Sequence, residues 1–357
     1  MANILERLNI TIPIIQAGMA GGITTPELVA AVSNTGALGT IGAGYMHTNK
    51  LKEAIQRVKQ LTDKPFAVNL FSANLEVFTT DVDEMQALLN KKRKETGIDK
   101  QENLVKVNDY LHEKVYLLIK EKVPIVSTAF GALSSVLIER LKENNSILIG
   151  MATNVSEAQL LEDMGYDIVV AQGIEAGGHR GTFDIEKYPN GSDIGLIALM
   201  QSILDNTSLP VIAAGGIYTR QQLDGLLAMG ASGVQMGTRF LLAKEAGTNK
   251  TYRRALVKAN YQDTVITNVF SGRPARAIKN GFINEIESSG LDVLPFPIQN
   301  ELTKDLRAAG AEFSISDLQS LWAGQGVGAL HKEESVEDII ALFTDKNRMK
   351  ANLIEHD

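Results

Sequence analysis

Short apolar runs, each closed by glycine or a turn residue and followed by a helical pattern, recur along most of this chain. Eight of them read as strands: Pro13–Met19, Ala37–Ala43, Phe66–Phe71, Pro124–Phe130, Ser146–Ala152, Asp167–Gln172, Pro210–Ala214 and Gly233–Phe240. They are apolar on both faces rather than alternating, as strands of a buried parallel sheet should be. The stretches between them carry helix signals. Thr25-Pro26-Glu27 places an N-cap hydroxyl before a proline at the first helical position, and Gly36 ends that helix. Asn154-Val155-Ser156-Glu157 reads as a variant capping box before a helix that stops at Gly165. Thr219-Arg220-Gln221-Gln222 is a fuller box, its helix stopping near Gly230. Eight strands alternating with helices over roughly 250 residues predict an α/β fold, a (β/α)8 TIM barrel spanning residues 1–260. A doubly wound sheet is the alternative. No Gly-x-Gly-x-x-Gly follows the first strand, however, and Gly42-Ala43-Gly44 lacks the third glycine.

Two pieces lie outside the simple repeat. A charged excursion at about 72–123, after the third strand, holds two helical patterns. Its Lys91-Lys92-Arg93-Lys94 run, flanked by Asp81, Asp83, Glu84 and Glu95, reads as a solvated face. The C-terminal segment 261–357 carries Gly272-Arg273-Pro274 and Trp322-Ala323-Gly324-Gln325-Gly326. No low-complexity linker sets it apart, so it is expected to pack on the barrel as a cap or lid.

Composition narrows the functions. With 357 residues, 44% hydrophobic and 22% charged, the chain has ample material for a core. A net charge of −7 argues against a nucleic-acid or anionic-membrane partner. Zero cysteines exclude disulfides, thiolate nucleophiles and cysteine-ligated metals. The start, Met-Ala-Asn-Ile-Leu-Glu-Arg-Leu, lacks the apolar region of a secretory signal, and no stretch reaches ~18 apolar residues, so a cytoplasmic protein is expected. The oligomeric state stays open.

The chemistry concentrates in three loops. After the sixth strand, Ala171–Gly181 sets His179 among four glycines, where backbone amides approach a ligand closely. Ala213-Ala214-Gly215-Gly216 and Gln235-Met236-Gly237-Thr238 close the seventh and eighth strands, the two positions where such barrels commonly build a phosphate site. Gly216 and Gly237 let amides converge on phosphate oxygens, and Thr238 adds a hydroxyl donor. Asn69, Gln172 and Gln325 offer amides that suit the edge of a heterocycle such as a flavin ring. His179 can accept a proton or donate a hydrogen bond to an anion, whereas His47, His112, His331 and His356 read as surface or satisfied core residues. Arg180 and Glu175 pair equally well with each other or with helix ends. No histidine–carboxylate cluster has metal-ligand spacing, so no catalytic metal is expected.

In order along the chain, six segments resemble the nitronate monooxygenase family, formerly called 2-nitropropane dioxygenase, in its bacterial class I form. They are Pro13–Gly22, Val68–Phe71, Glu175–Gly181, Ala213–Ile217, Gln235–Phe240 and Trp322–Gly326. The resemblance implies a TIM barrel holding non-covalent FMN and using O2, with no metal and no nicotinamide requirement. It implies FMN contacts from Asn69, Gln172, Gly177, Gly216, Gln235, Met236, Gly237, Thr238 and Gln325, and a catalytic base or anion-orienting role for His179. The implied reaction is oxidative denitrification of an alkyl nitronate, such as propionate 3-nitronate, to a carbonyl compound and nitrite. Two positions depart from the family: many members have proline where Gly18 stands, and some have histidine at Ala129. The nearest rival is a flavin-dependent enoyl-acyl-carrier-protein reductase drawing hydride from a nicotinamide cofactor; the excursion and the Trp322–Gly326 segment favour the oxygenase. An inosine-monophosphate-dehydrogenase-like barrel needs a nucleophilic cysteine that this chain lacks. A flavin-binding module without turnover is the reading from another class, and the intact His179 loop argues against it.

Overall fold

All eight apolar runs form strands, most of them trimmed at one or both ends. The computed structural model describes residues 4–75, 81–99 and 109–344, so parts of the 72–123 excursion, the end of the 261–357 segment and His356 lie outside the described residues. The strands are β1 (Ile14–Gln16), β2 (Gly39–Gly42), β3 (Phe66–Phe71), β4 (Ile125–Ala129), β5 (Ile147–Ala152), β6 (Ile168–Gln172), a short β7 (Gly178–His179), β8 (Val211–Ala214), β9 (Gly233–Met236), β10 (Thr264–Thr267) and β11 (Ala275–Ile278). Helices fill the intervals: α1 (Ile4–Leu8), α2 (Pro26–Asn34), α3 (Thr48–Leu61), α4 (Asp83–Thr96), α5 (Leu111–Lys120), α6 (Ser135–Glu143), α7 (Val155–Asp163), α8 (Leu196–Asn206), α9 (Arg220–Ala228), α10 (Lys250–Lys258), α11 (Gly281–Ser288), α12 (Ile298–Glu312) and α13 (Val336–Thr344).

Eight parallel strands run in the order β1-β9-β8-β6-β5-β4-β3-β2. The ring closes between β1 and β2, where the amide of Leu38 donates to Ile14 and that of Gln16 donates to Leu38, both at 2.9 Å. Beyond that point the buried Gln16 side chain stands in for a peptide group. Its Oε1 accepts from the Thr40 amide at 3.0 Å and its Nε2 donates to the Thr40 carbonyl at 3.3 Å. The result is a (β/α)8 barrel.

Alternate positions on each strand go to different cores. Val68, Leu70, Val126, Leu148, Val169 and Val211 face outward under the helices. Ile15, Leu38, Ala67, Ile125, Ile149, Ile168 and Ile212 face inward, sealed from below by Ile4 and Leu8 of α1. Each Val, Leu or Ile among them contributes about 1.5–3 kcal/mol by leaving water. Higher up the inward rows the residues turn polar, at Asn69, Ser127, Gln172 and Gln235, and that change marks where packing gives way to a site.

The helix caps follow the sequence, with one revision. Thr25 accepts from the Leu28 amide and Asn154 from the Glu157 amide, and Thr219 with Gln222 forms a full capping box. Glu157 does not return to the Asn154 amide as a capping box would. Its carboxylate accepts instead from the Thr153 and Phe183 amides, tying α7 to the chain after β7.

Only part of the excursion leaves the barrel. Helix α5 packs against α3 and α6, the place of a barrel helix, while α4 packs on α12. The basic run is therefore not uniformly solvated. Arg93 is fully buried and forks onto Asp305 at 2.7 and 2.9 Å, because α4 presents it to α12 rather than to water. Strands β10, β11 and β7 form an antiparallel sheet, and a third apolar cluster joins Met85 and Leu89 of α4 to Phe270, Phe282 and Leu306. Helix α13 returns to the barrel beside α2 and α9. No helix among the described residues is long and apolar enough to cross a membrane.

Candidate active site

The C-terminal strand ends open on a cavity of about 190 Å3. Asn69, Gln172, Gly177, His179, Gly216, Gln235, Met236, Gly237 and Thr238 all line it. Met236 does so through its main chain, since its side chain is packed in the layer beneath the helices. Gln325 is not part of the lining. Gly324 and Gly326 line the cavity on either side of it, and the Gln325 amide donates to the Glu175 carbonyl at 2.9 Å.

One wall is built from the loops after β8 and β9. The amides of Gly216, Ile217, Gly237 and Thr238 have no acceptor among the described residues. Four unengaged donors on two adjacent loops are the chemistry an anion cradle needs. Thr238 Oγ1 accepts from the Gly324 amide at 2.9 Å, which leaves its own hydroxyl hydrogen to donate. Arg239, beside the cradle, is paired with Glu334 at 2.7 Å.

Along the floor, the amides differ in how much they still offer. Asn69 Nδ2 donates to Ser127 Oγ at 3.0 Å, and its Oδ1 has no partner among the described residues. The Gln235 side chain likewise has none. Gln172 is engaged at both ends: Nε2 donates to the His179 carbonyl at 3.0 Å, and Oε1 accepts from the Gly181 amide at 2.8 Å. Its amide braces the histidine loop. Gly18 sits where a Cβ would come within 2.6 Å of Asn69 Cβ, so any side chain there, proline included, would require Asn69 to move. Ala129 lines the cavity and keeps that stretch of wall apolar.

His179 is fixed by strand pairing, not by its glycine loop alone. Residues Gly178 and His179 pair with Arg276 and Ala275 of β11. The ring lies between Phe130 and Trp322, with centroids at 5.6 and 5.0 Å, and its Nε2 is 2.7 Å from Ser271 Oγ. Ser271 Oγ also accepts from the Arg273 amide and can donate to the Arg273 carbonyl, each at 3.3 Å. The hydroxyl hydrogen therefore serves either Nε2 or that carbonyl, and the tautomer of the ring follows from which one it serves. Burial, then the guanidinium charges of Arg273 and Arg307, drive the imidazole pKa from 6.5 down to about 3. The ring is neutral.

The residues left open by the sequence have structural tasks. Arg180, fully buried, donates to the carbonyls of Gly173 and Gln172 at 2.6 and 2.8 Å. Glu175 accepts from the Leu196 amide and caps α8. A Cβ on Gly177 would lie 2.3 Å from the Gly324 nitrogen, so the histidine loop and the Trp322–Gly326 segment touch backbone to backbone. Among the described residues, no group of three His, Asp or Glu could hold a metal ion. Three further residues, Ser271, Ser127 and Tyr45, stand at the site. Ser271 lies 92 residues from its histidine and carries no local signal; Ser127 could have been found from the inward row of β4.

The chain is similar to known proteins along nearly its whole length. The family model for nitronate monooxygenase matches residues 3–346. A probable nitronate monooxygenase from Staphylococcus saprophyticus is 43% identical over 319 residues, covering 89% of this chain and 90% of the relative. Among solved structures, nitroalkane oxidase from Streptomyces ansochromogenes superposes with a TM-score of 0.90 at 32% identity, covering 98% of this chain and 99% of the other. FabK from Thermotoga maritima gives 0.76 at 29% identity, covering 99% and 97%.

Proposed function

This chain belongs to the nitronate monooxygenase family and is an oxidoreductase, and on that premise we propose that it binds FMN in the barrel-top cavity. There it oxidises alkyl nitronates such as propionate 3-nitronate with O2, giving a carbonyl compound and nitrite. The observation that carries this reading is the pairing, in one cavity, of four unengaged loop amides at one wall with a neutral histidine at another. The cradle formed by Gly216, Ile217, Gly237 and Thr238 fits a phosphate monoester. Gln235 and the free Asn69 Oδ1 fit the polar edge of a flavin ring. Bound FMN would supply the electron acceptor that hands electrons on to O2. Gln172 and Gln325 support the site from behind, through the histidine loop and the Glu175 carbonyl.

His179 serves the substrate anion best as a hydrogen-bond donor. In the tautomer where Ser271 donates to Nε2, Nδ1–H is free to point at a nitronate oxygen. A preformed nitronate has already lost its α-proton, so no strong base is needed. The nearby Arg273 and Arg307 charges add a favourable field for an anion. The direct test is nitrite release from propionate 3-nitronate in air by the purified protein. Steady nitrite production is expected, and none would remove the reading.

The ionisation of His179 gives a separate check. Its ring nitrogens are expected to keep the neutral NMR pattern at pH 5. The unfolded chain takes up a proton there that the folded one refuses, so stability falls as pH drops from about 6.5 toward about 3. A His179 titration midpoint near 6.5 would contradict the arrangement.

A further inference from the structure

We infer that Lys114 is a positioning residue that holds Tyr45 at the mouth of the cavity and thereby sets how tightly the substrate binds. Lys114 lies on the buried face of α5 with Val115, Leu117 and Leu118, and is only 2% exposed. Its Nζ donates to the carbonyls of Ala43 and Gly44, each at 3.0 Å. No carboxylate pairs with it among the described residues. A buried ammonium without a paired anion is an expensive way to fill a helix face that apolar residues already occupy. Burial outweighs the attraction of Asp109 and Glu113 and draws its pKa down to about 8, so the group is still mostly charged at neutral pH.

What the lysine grips is the short loop between β2 and α3. Gly44 lies flat against Phe71: a Cβ there would come within 2.2 Å of the ring. The next residue, Tyr45, packs edge-on to the same ring with centroids 5.2 Å apart. Tyr45 lines the cavity and is 40% exposed, so its side chain stands between the interior and solvent. The Ala43 carbonyl also accepts from the Met46 amide at 3.1 Å, but the Gly44 carbonyl has only Lys114 among the described residues. The residue that precedes α5, Tyr110, holds the loop a second time, its ring packing edge-on to His47 at 4.6 Å. His47 in turn caps α3 by accepting from the Asn49 amide. Removing the ammonium leaves the Gly44 carbonyl unmatched and frees the turn that presents Tyr45.

The clamp stands on geometry alone; its effect on affinity rests on a nitronate occupying this cavity. The test compares Lys114→Met, Tyr45→Ala and the double variant. Amide hydrogen exchange across residues 43–47 is expected to rise ~10-fold in Lys114→Met, through local opening of the loop. KM for propionate 3-nitronate is expected to rise ~5-fold with kcat changed less than ~2-fold, because binding rather than chemistry is disturbed. In the Tyr45→Ala background Lys114→Met should add nothing further to KM, since the two residues act as one unit. Unchanged exchange, unchanged KM, or additive effects would each overturn the inference. Should Lys114→Met fail to fold, Tyr45→Ala alone must reproduce the KM rise, and a KM equal to wild type would overturn it. If the wild-type protein releases no nitrite, the functional reading falls, and loop exchange alone decides the clamp.

Discussion

Replacing His179 with Asn is expected to lower kcat/KM for an alkyl nitronate by ~10²-fold or more while leaving the flavin bound, the usual loss when one preorganised donor to a reacting anion is removed. Asparagine keeps a polar group but moves the donor and breaks its tie to Ser271. The backbone pairing of β7 with β11 does not depend on the ring, so the histidine loop should stay in place. Flavin content then serves as the control, since the amide cradle lies on the loops after β8 and β9. Steady-state kinetics together with the flavin-to-protein ratio measure both halves. A variant with unchanged turnover would take His179 out of the mechanism.

Gly237→Leu is expected to do the reverse, keeping the fold and losing the cofactor. Gly237 has φ −107° and ψ −63°, a conformation open to any L-residue. A Cβ there would meet Ala17 and Met19 only at ordinary contact distances of 3.5 and 3.6 Å. The backbone therefore tolerates the change, but a branched side chain takes up room at the cavity wall that Gly237 shares with Ala17 and Met19. Losing one or two charge-assisted hydrogen bonds to a phosphate weakens FMN by ~10²-fold. Titration of flavin-free protein with FMN, alongside circular dichroism to confirm folding, measures it. Full FMN affinity would show that the phosphate lies elsewhere.

Much of this molecule is legible because its barrel strands are apolar on both faces and punctuated by glycine. Phe66–Phe71 agrees to the residue. Gly233–Phe240 runs too long, since the apolar pattern continues past Met236 into a 3-10 turn at Thr238–Phe240 that no periodicity separates from a strand. Other features depend on partners far along the chain. Arg93 sits in a run of lysines and looks solvated until α12 brings Asp305 to it. Helix α5 looks like part of an insertion until its packing shows it to be a barrel helix. Gln172 reads from the sequence as an amide suited to a heterocycle's edge or to a structural hydrogen bond, and only the fold of the histidine loop reveals that both its ends are taken. In each case a local pattern fixes the residue's type, and a contact many residues away fixes its task.

The most direct measurement is the visible spectrum of the purified protein under anaerobic conditions, before and after propionate 3-nitronate, with NADH added to a parallel sample. The expected result is a yellow protein whose oxidised flavin absorption falls with the nitronate and stays nearly unchanged with NADH. Rapid bleaching by NADH with no response to the nitronate would instead indicate the enoyl reductase activity, and a colourless protein that cannot be loaded with FMN would contradict both.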